Sequence, residues 1–243
     1  MNEVLVCPVA FNENVKLKRV IERFLKSPVV QSCDYLIVDD ASNDGTTEMI
    51  REFAPRGVMT IRHDQRSGVG SAIRTAIKYA RSKGYAVLVI MAGNDKDNPD
   101  EISRLIDPIF KEGFDFIQGS RYLGEKGAGG DMPFYRKVAT RLHPLLMSVI
   151  THRKLTDTTN GFRAFRLSIF DNKEIDIDQP WLDKYELEPY LLFKAIKLGF
   201  KFNEAPVTKI YPPKQLGYTK MRPLTGWWSI LRPLVYLGLG IKK

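Results

Sequence analysis

The sequence predicts an α/β chain, a single domain whose central, mostly parallel sheet is covered by helices, followed by a basic amphipathic C-terminal segment. Three observations carry this expectation. Apolar β-rich runs alternate with segments of helical period through the first half of the chain, an order that lays strands parallel and helices on both faces of one sheet. VLVIMA is a continuous apolar run of the kind that fills the middle of such a sheet. The polar loops PVAFNEN, DDASNDGT and GNDKDNP each follow a strand directly, so they converge on the carboxyl edge, where open α/β sheets bind their ligands. With 243 residues and 44% hydrophobic content, the chain can bury a sizeable core.

The elements follow in order. EVLVCPVA reads as a strand, and NVKLKRVIERFLKS as a helix with Val15, Leu17, Val20, Ile21, Phe24 and Leu25 close to one stripe. YLIVDD is a strand, DGTTEMIREFA a helix opened by an acidic first turn, and VMTIRH a strand. SGVGSAIRTAIKYARSKG is a helix with Gly at its exit, YAVLVIMA a strand, and NPDEISRLIDPIFKEG a helix with Pro in its first turn. DFIQGS is a short strand. The second half is less regular: a Gly-rich loop (LGEKGAGGDM), a helix around YRKVATRLHPLLMSVI, a turn TDTTNGFRAFR, a helix ELEPYLLFKAIKLG and a strand KFNEAPVTKIY. The expected division is a main domain over 1–222 and a basic, aromatic helix over 223–243.

The net charge of +9, from 37 basic and 28 acidic residues, favours an anionic partner. After Glu204 no Asp or Glu occurs, while Lys209, Lys214, Lys220, Arg222, Arg232, Lys242 and Lys243 do. With Trp227, Trp228 and Tyr236 in GWWSILRPLVYLGLG, that end suits a lipid headgroup layer, or equally a helix packed on the core or a contact between copies of the chain. It is too short and too interrupted to span a bilayer, which needs about 20 apolar residues. Nucleic acid is not the expected partner, because the tail's aromatics are interleaved with aliphatics rather than with Lys and Arg. Two cysteines, Cys7 and Cys33, give no disulfide framework, and MNEVLVCPVAF has no signal-peptide pattern. The expected location is cytoplasmic, peripheral to the cytoplasmic face of a membrane.

The first strand-to-helix turn, PVAFNEN, lacks glycine, SGVGSA is only a partial glycine pattern, and no Walker loop occurs, so neither dinucleotide nor P-loop binding is expected. CPVAFNEN, IVDDASNDGT and GNDKDNPDEI, continued by GSRY, TDTTNGFRAFR, EAPVTKIYPP and KQLGYTKM, instead resemble, in order, the motifs of family-2 inverting glycosyltransferases. That family has the GT-A fold, a Rossmann-like α/β domain. Within it the similarity is to dolichol- and polyprenol-phosphate mannose synthases.

The resemblance implies roles. Pro8, Phe11, Asn12 and Glu13 border the base and ribose of a GDP- or UDP-linked sugar; Asp40 accepts from a base N–H, with Asp39 beside it, and Asn94 caps the next helix or meets phosphate. The family's Asp-x-Asp motif holds a divalent cation. Aligned on Pro99 and Glu101, its first Asp is Gly93 here and its second is Asp95, with Asp97 two residues on. Asp95 and Asp97 are thus the expected ligands of Mg²⁺ or Mn²⁺. Arg121, Arg136, Arg163, Lys214 and Lys220 match positions that hold an acceptor phosphate, with Lys214 and Thr219 where relatives carry Arg and Ser. Asp157 matches the Asp of a turn supporting the acceptor loop.

The expected reaction is transfer of the sugar to a polyprenyl phosphate, whose oxygen needs no strong general base. If the acceptor is instead a saccharide hydroxyl, Asp157 or Glu188 is the candidate base. Gly93 leaves room for a third reading, a non-catalytic nucleotide- or membrane-binding scaffold. His63, His143 and His152 lack metal-ligand spacing and are expected in core or surface roles.

Overall fold

A computed structural model describes residues 2–124, 128–130, 132, 134–211 and 223–242. Its centre is a sheet of seven strands: β1 (Val4–Ala10), β2 (Cys33–Asp39), β3 (Val58–Arg62), β4 (Val87–Ala92), β5 (Phe116–Ser120), β7 (Arg163–Arg166) and β8 (Phe202–Pro206), in spatial order β3-β2-β1-β4-β7-β5-β8. All pairings are parallel except those of β7, which runs antiparallel to both β4 and β5. A second sheet pairs β6 (Ala128–Gly130) with β9 (Lys209–Tyr211). The expected mostly parallel sheet is therefore present, with β7 as an unexpected strand inside the segment read as a turn. Only Ala164 and Phe165 separate its two arginines, too short a run for a strand period to register in the sequence.

The sheet is covered on both sides because its strands are apolar on both faces. Leu5, Cys7, Leu88 and Ile90 pack against Ala72, Ile73, Ala76 and Ile77 of α3 (Val69–Ser82) and against α6 (Leu187–Lys197). Val4, Val6, Val87, Val89 and Met91 face α1 (Asn14–Phe24), α2 (Thr46–Arg51) and α4 (Ile102–Glu112). On α1 the buried stripe is Leu17, Val20, Ile21 and Phe24, the helical repeat expected, while Val15 lies exposed. Truncating the fully buried Ile21 to Ala costs about 2–5 kcal/mol. Two helices, α5 (Phe134–Thr151) and α7 (Pro223–Gly238), complete the α6 side, with Leu234 and Leu237 of α7 buried.

The glycines of SGVGSA have a packing reason. A Cβ on Gly70 would stand 2.0 Å from the Leu182 carbonyl oxygen, and one on Gly68 2.4 Å from that of Asp183. They let α3 meet the 182–184 backbone. The segment read as one strand, KFNEAPVTKIY, divides after Pro206: β8 stays in the central sheet, and β9 leaves it for β6.

Candidate functional site

The loops after β1, β2 and β4 meet at the carboxyl edge of the sheet, and each holds a non-glycine residue in the left-handed region: Asn12 (φ 53°), Ala41 (φ 62°) and Asp95 (φ 61°). Such backbone costs free energy and persists only where surrounding contacts over-determine it. Here those contacts are reciprocal. The Asn12 backbone N–H donates to Ser42 Oγ at 2.8 Å, and its side chain exchanges two 2.8 Å bonds with Asn43.

Beneath these loops opens a cavity of about 770 Å³. Of the residues expected at a nucleotide, Phe11, Glu13, Asp40 and Asn94 line it. Arg66 stacks over the Phe11 ring, 4.1 Å from its centroid. Asp40 is held in place: its carboxylate accepts from the Ser67 and Gly68 backbone N–H groups, each at 2.8 Å, and lies 2.9 Å from His63 Nδ1. Pro8 is buried within β1 beside Met91 and does not line the cavity. Asp39 does not line it either; fully buried, it accepts from the Ser42 N–H at 3.0 Å and from the Ser42 and Thr47 hydroxyls. It builds the loop that presents Asp40.

The expected metal pair is arranged differently from the expectation. Asp95 points to α1, where it ion-pairs with Arg23 and lies 4.0 Å from Arg19. Burial pushes its carboxyl up, and the two guanidiniums pull it back only in part. Asp97 is fully buried; its Oδ1 accepts from Lys209 Nζ at 2.6 Å and its Oδ2 from the Ala92 N–H at 3.0 Å. The two carboxylates therefore do not converge on one point, and neither lines the cavity. The reason is electrostatic: each has been drawn to a cation from a distant part of the chain. Between them Lys96 turns inward, 6% exposed, with Nζ 5.0 Å from the centre of the Tyr211 ring. Burial, with Arg136, Lys209 and Lys16 nearby, pushes its ammonium down to about 7.

The deep wall carries the expected arginines. Arg121, 2% exposed, is gripped by Asp157 (Nε to Oδ2 2.6 Å, Nη2 to Oδ1 3.2 Å) and donates to the Tyr211 hydroxyl at 2.9 Å. Burial opposes its charge, but Asp157 and Tyr211 outweigh that and hold its pKa above the ordinary guanidinium value. Asp157 is itself fully buried, with its backbone N–H donating to Glu204 at 2.9 Å, so it positions Arg121 and is not exposed as a base. Arg163 donates to the backbone carbonyls of Asn160 (2.6 Å) and Glu188 (2.8 Å), and burial lowers its pKa against the pull of Glu188. Arg136, in the first turn of α5, lines the cavity with a buried Nε that has no partner among the described residues. Lys214 and Lys220 lie outside the described residues.

Sequence reasoning passed over Lys16, Arg66, Lys96 and Lys209 as site residues, although all four line the cavity. The available signal for Lys96 is its place inside the GNDKD motif, between two residues expected at the site. His143, expected in a core or surface role, is buried against the same cavity between the Thr158 hydroxyl (Nδ1, 2.6 Å) and the Ile230 carbonyl (Nε2, 3.2 Å). No group of three or more His, Cys, Asp or Glu side chains among the described residues is placed to hold a metal ion.

Comparison with known proteins fits this geometry. The chain is 30% identical over 223 residues to the polyprenol monophosphomannose synthase of Mycolicibacterium smegmatis, covering 89% of this chain and 80% of that protein. It is also 30% identical to the undecaprenyl-phosphate mannosyltransferase of Micrococcus luteus, covering 90% and 87%. Crystal structures of glucosyl-3-phosphoglycerate synthase from Mycobacterium tuberculosis share the fold. The complex with Mn²⁺, UDP and glucosyl-3-phosphoglycerate superposes with a TM-score of 0.67 at 17% identity, over 99% of this chain and 81% of that one. The sequence model of Glycosyl transferase family 2 matches residues 6–172, most of the sheet and all three loops of its carboxyl edge. The chain belongs to that family and is a glycosyltransferase.

Proposed function

We propose that the chain transfers a sugar from a nucleoside diphosphate sugar, UDP- or GDP-linked, to a polyprenyl phosphate at a membrane surface. The observation that carries this reading is the pairing, in one cavity, of a ring face and carboxylates suited to a nucleoside (Phe11, Glu13, Asp40) with a cationic group (Lys96, Arg121, Arg136, Arg163). The relatives named for polyprenol and undecaprenyl phosphate support the lipid acceptor.

The chemistry follows from charge. A phosphate monoester oxygen is already ionised near neutral pH, so an acceptor of this kind attacks the anomeric carbon without a strong base. As the sugar–phosphate bond breaks, negative charge grows on the diphosphate, and the fixed cations lining the cavity stabilise it as it develops. Attack from the face opposite the nucleotide inverts the anomeric centre. Arg121, pre-oriented by Asp157, and Arg136 are the groups suited to the acceptor phosphate.

For the Mg²⁺ or Mn²⁺ that the resemblance implies, the Mn²⁺ complexes of the structural neighbours speak in favour. The carboxylates speak against: Asp95 is engaged by Arg23, Asp97 by Lys209, and Glu13 lies 3.3 Å from Lys16. The position aligned with the motif's first Asp resists a side chain as well. A Cβ on Gly93 would lie 3.1 Å from both Leu17 Cδ1 and the Val9 carbonyl oxygen. This donor set does not fit a resident divalent ion, and no step above runs through one.

An exposed apolar face on α5 supports the reading of a membrane surface. Phe134 (80% exposed), Val138, Leu142, Leu145 (61% exposed) and Val149 fall on one helical face, with Lys137 and Arg141 exposed on the same helix. No helix among the described residues is long and apolar enough to cross a membrane. Arg232 of the tail is not free for lipid headgroups, since it ion-pairs with Glu186.

The test is transfer of labelled sugar from UDP- and GDP-sugars into an organic-extractable product with undecaprenyl or dolichyl phosphate. Label that stays water-soluble with every lipid would sink the reading. A saccharide acceptor gains one specific support, the Glu188 carboxylate lining the cavity beside Arg163. Under that reading Glu188→Gln abolishes transfer, whereas transfer to a lipid phosphate survives it.

A further inference from the structure

We propose that Lys96 binds the donor's diphosphate directly and takes the charge-neutralising place that a carboxylate-held divalent cation would occupy. This rests on the reading of the cavity as a nucleoside diphosphate sugar site. Three observations lead to it.

The first concerns the carboxylates. Gly93 is crowded by Leu17 and the Val9 carbonyl, Asp95 belongs to Arg23, and Asp97 belongs to Lys209. The motif that brings negative charge to a cation in the family has here turned its negative charge away from the cavity.

The second concerns what faces the cavity instead. Lys96 projects from the centre of the same loop, buried, over the Tyr211 ring, and the loop is stitched to β9 by the bond from the Ile210 N–H to the Lys96 carbonyl, 3.0 Å. Tyr211 is in turn fixed by Arg121. The ammonium is thus carried on a braced loop. A braced charge needs no reorganisation on binding an anion, which is the condition for strong electrostatic binding.

The third is the company it keeps. Arg136, Lys209 and Lys16 all act on Lys96 in the repulsive sense, against the pull of Asp97. Lys209 is matched by Asp97 and Lys16 by Glu13, whereas the Arg136 Nε is buried without a partner among the described residues. A cavity that gathers cations in this way is destabilised by their repulsion and relieved by an anion of matching size. A diphosphate supplies that anion in the same cavity.

The experiment is calorimetric titration of UDP, GDP and their monophosphates into the full chain, in EDTA and in MnCl₂, for wild type, Lys96→Met, Lys96→Arg and Asp95→Asn. One nucleoside diphosphate is expected to bind in EDTA with a Kd that Mn²⁺ changes by less than about threefold. Lys96→Met weakens that diphosphate about tenfold or more in EDTA and its monophosphate far less, while Lys96→Arg keeps most of the affinity. Retained monophosphate binding shows that the Met variant is folded. Diphosphate binding that requires Mn²⁺ and disappears in Asp95→Asn overturns the inference and leaves the donor site standing. So does unchanged diphosphate binding by Lys96→Met in EDTA. Failure of both nucleotides in both buffers overturns the donor site and this inference together.

Discussion

Lys209 reaches Asp97 across 112 residues of sequence, and the two form a buried pair with Nζ 2.6 Å from Oδ1. The same ammonium donates to Asn160 Oδ1 at 2.7 Å, so it joins the loop after β4, strand β9 and the turn before β7. Asp97 thereby holds the cavity's walls together. Removing one partner leaves a buried charge uncompensated, so Asp97→Asn and Lys209→Met should each destabilise the metal-free protein by about 3–5 kcal/mol. The double variant Asp97→Leu/Lys209→Met should recover part of that loss, as buried pairs replaced by apolar groups commonly do. Urea denaturation of the four proteins in EDTA measures it. Single variants as stable as wild type would mean that Asp97 is held for something other than this pair.

The clasp between Arg121 and Asp157 makes a separable prediction. Arg121→Lys keeps the charge but loses the two-pronged grip, since an ammonium cannot offer both carboxylate oxygens the planar fork. Transfer should fall by about ten- to a hundredfold, as expected for about 1.5–3 kcal/mol of charge-assisted hydrogen bonding, with a larger effect on the acceptor KM than on the donor KM. Steady-state kinetics with each substrate varied in turn checks this. A loss confined to the donor KM would move Arg121 to the nucleotide side of the cavity.

His143 gives the molecule an acid-side weakness. Burial lowers its pKa from 6.5 to about 4, with the Ile230 carbonyl and Asp157 opposing. The carbonyl can only accept, so Nε2 carries the proton and Nδ1 accepts from the Thr158 hydroxyl. The unfolded chain binds a proton near pH 6.5 that the folded chain refuses until about 4. The stability this contributes is therefore present in full above 6.5 and is lost as pH falls between those values, by at most about 1.4 kcal/mol per pH unit. Against His143→Gln, which keeps a donor and an acceptor, wild type should show the steeper decline over that window in denaturant titrations. Parallel curves would contradict the assignment.

Much of this was written locally. The strand–helix alternation of residues 1–120 follows from hydrophobic period alone, and because each loop follows a strand, the sequence itself puts Phe11, Glu13 and Asp40 at the carboxyl edge. What the sequence hid is decided by partners far along the chain. Nothing near Asp95 announces Arg23, 72 residues earlier, and nothing near Asp97 announces Lys209. A motif read by spacing gives the positions of carboxylates, but their direction depends on which cations the fold delivers. β7 was hidden for a related reason: a four-residue strand acquires its identity from the neighbours β4 and β5, and its own period is too short to show. The resemblance implies a place at the nucleotide for Pro8 and Asp39 as well, yet strand alternation turns them into the sheet and the loop base.

The exposed face of α5 supplies the last prediction. Phe134, Val138, Leu142, Leu145 and Val149 recur at helical spacing on the outside of the same helix whose first turn brings Arg136 to the cavity. An apolar face left in water is unfavourable by roughly 25 cal/mol per Å²; a lipid surface would remove that penalty, and Lys137 and Arg141, exposed on the same helix, would be available to anionic headgroups. Leu142→Glu/Leu145→Glu replaces two exposed side chains, so folding and nucleotide binding should be retained. Co-sedimentation with vesicles containing phosphatidylglycerol should fall at least about tenfold, the loss expected for about 1.4 kcal/mol or more of lipid contact. Transfer to a long-chain polyprenyl phosphate in those vesicles should fall with it, while transfer to a short, water-soluble prenyl phosphate should not. Equal vesicle binding by the two proteins would remove α5 as the docking face and return that role to the C-terminal segment.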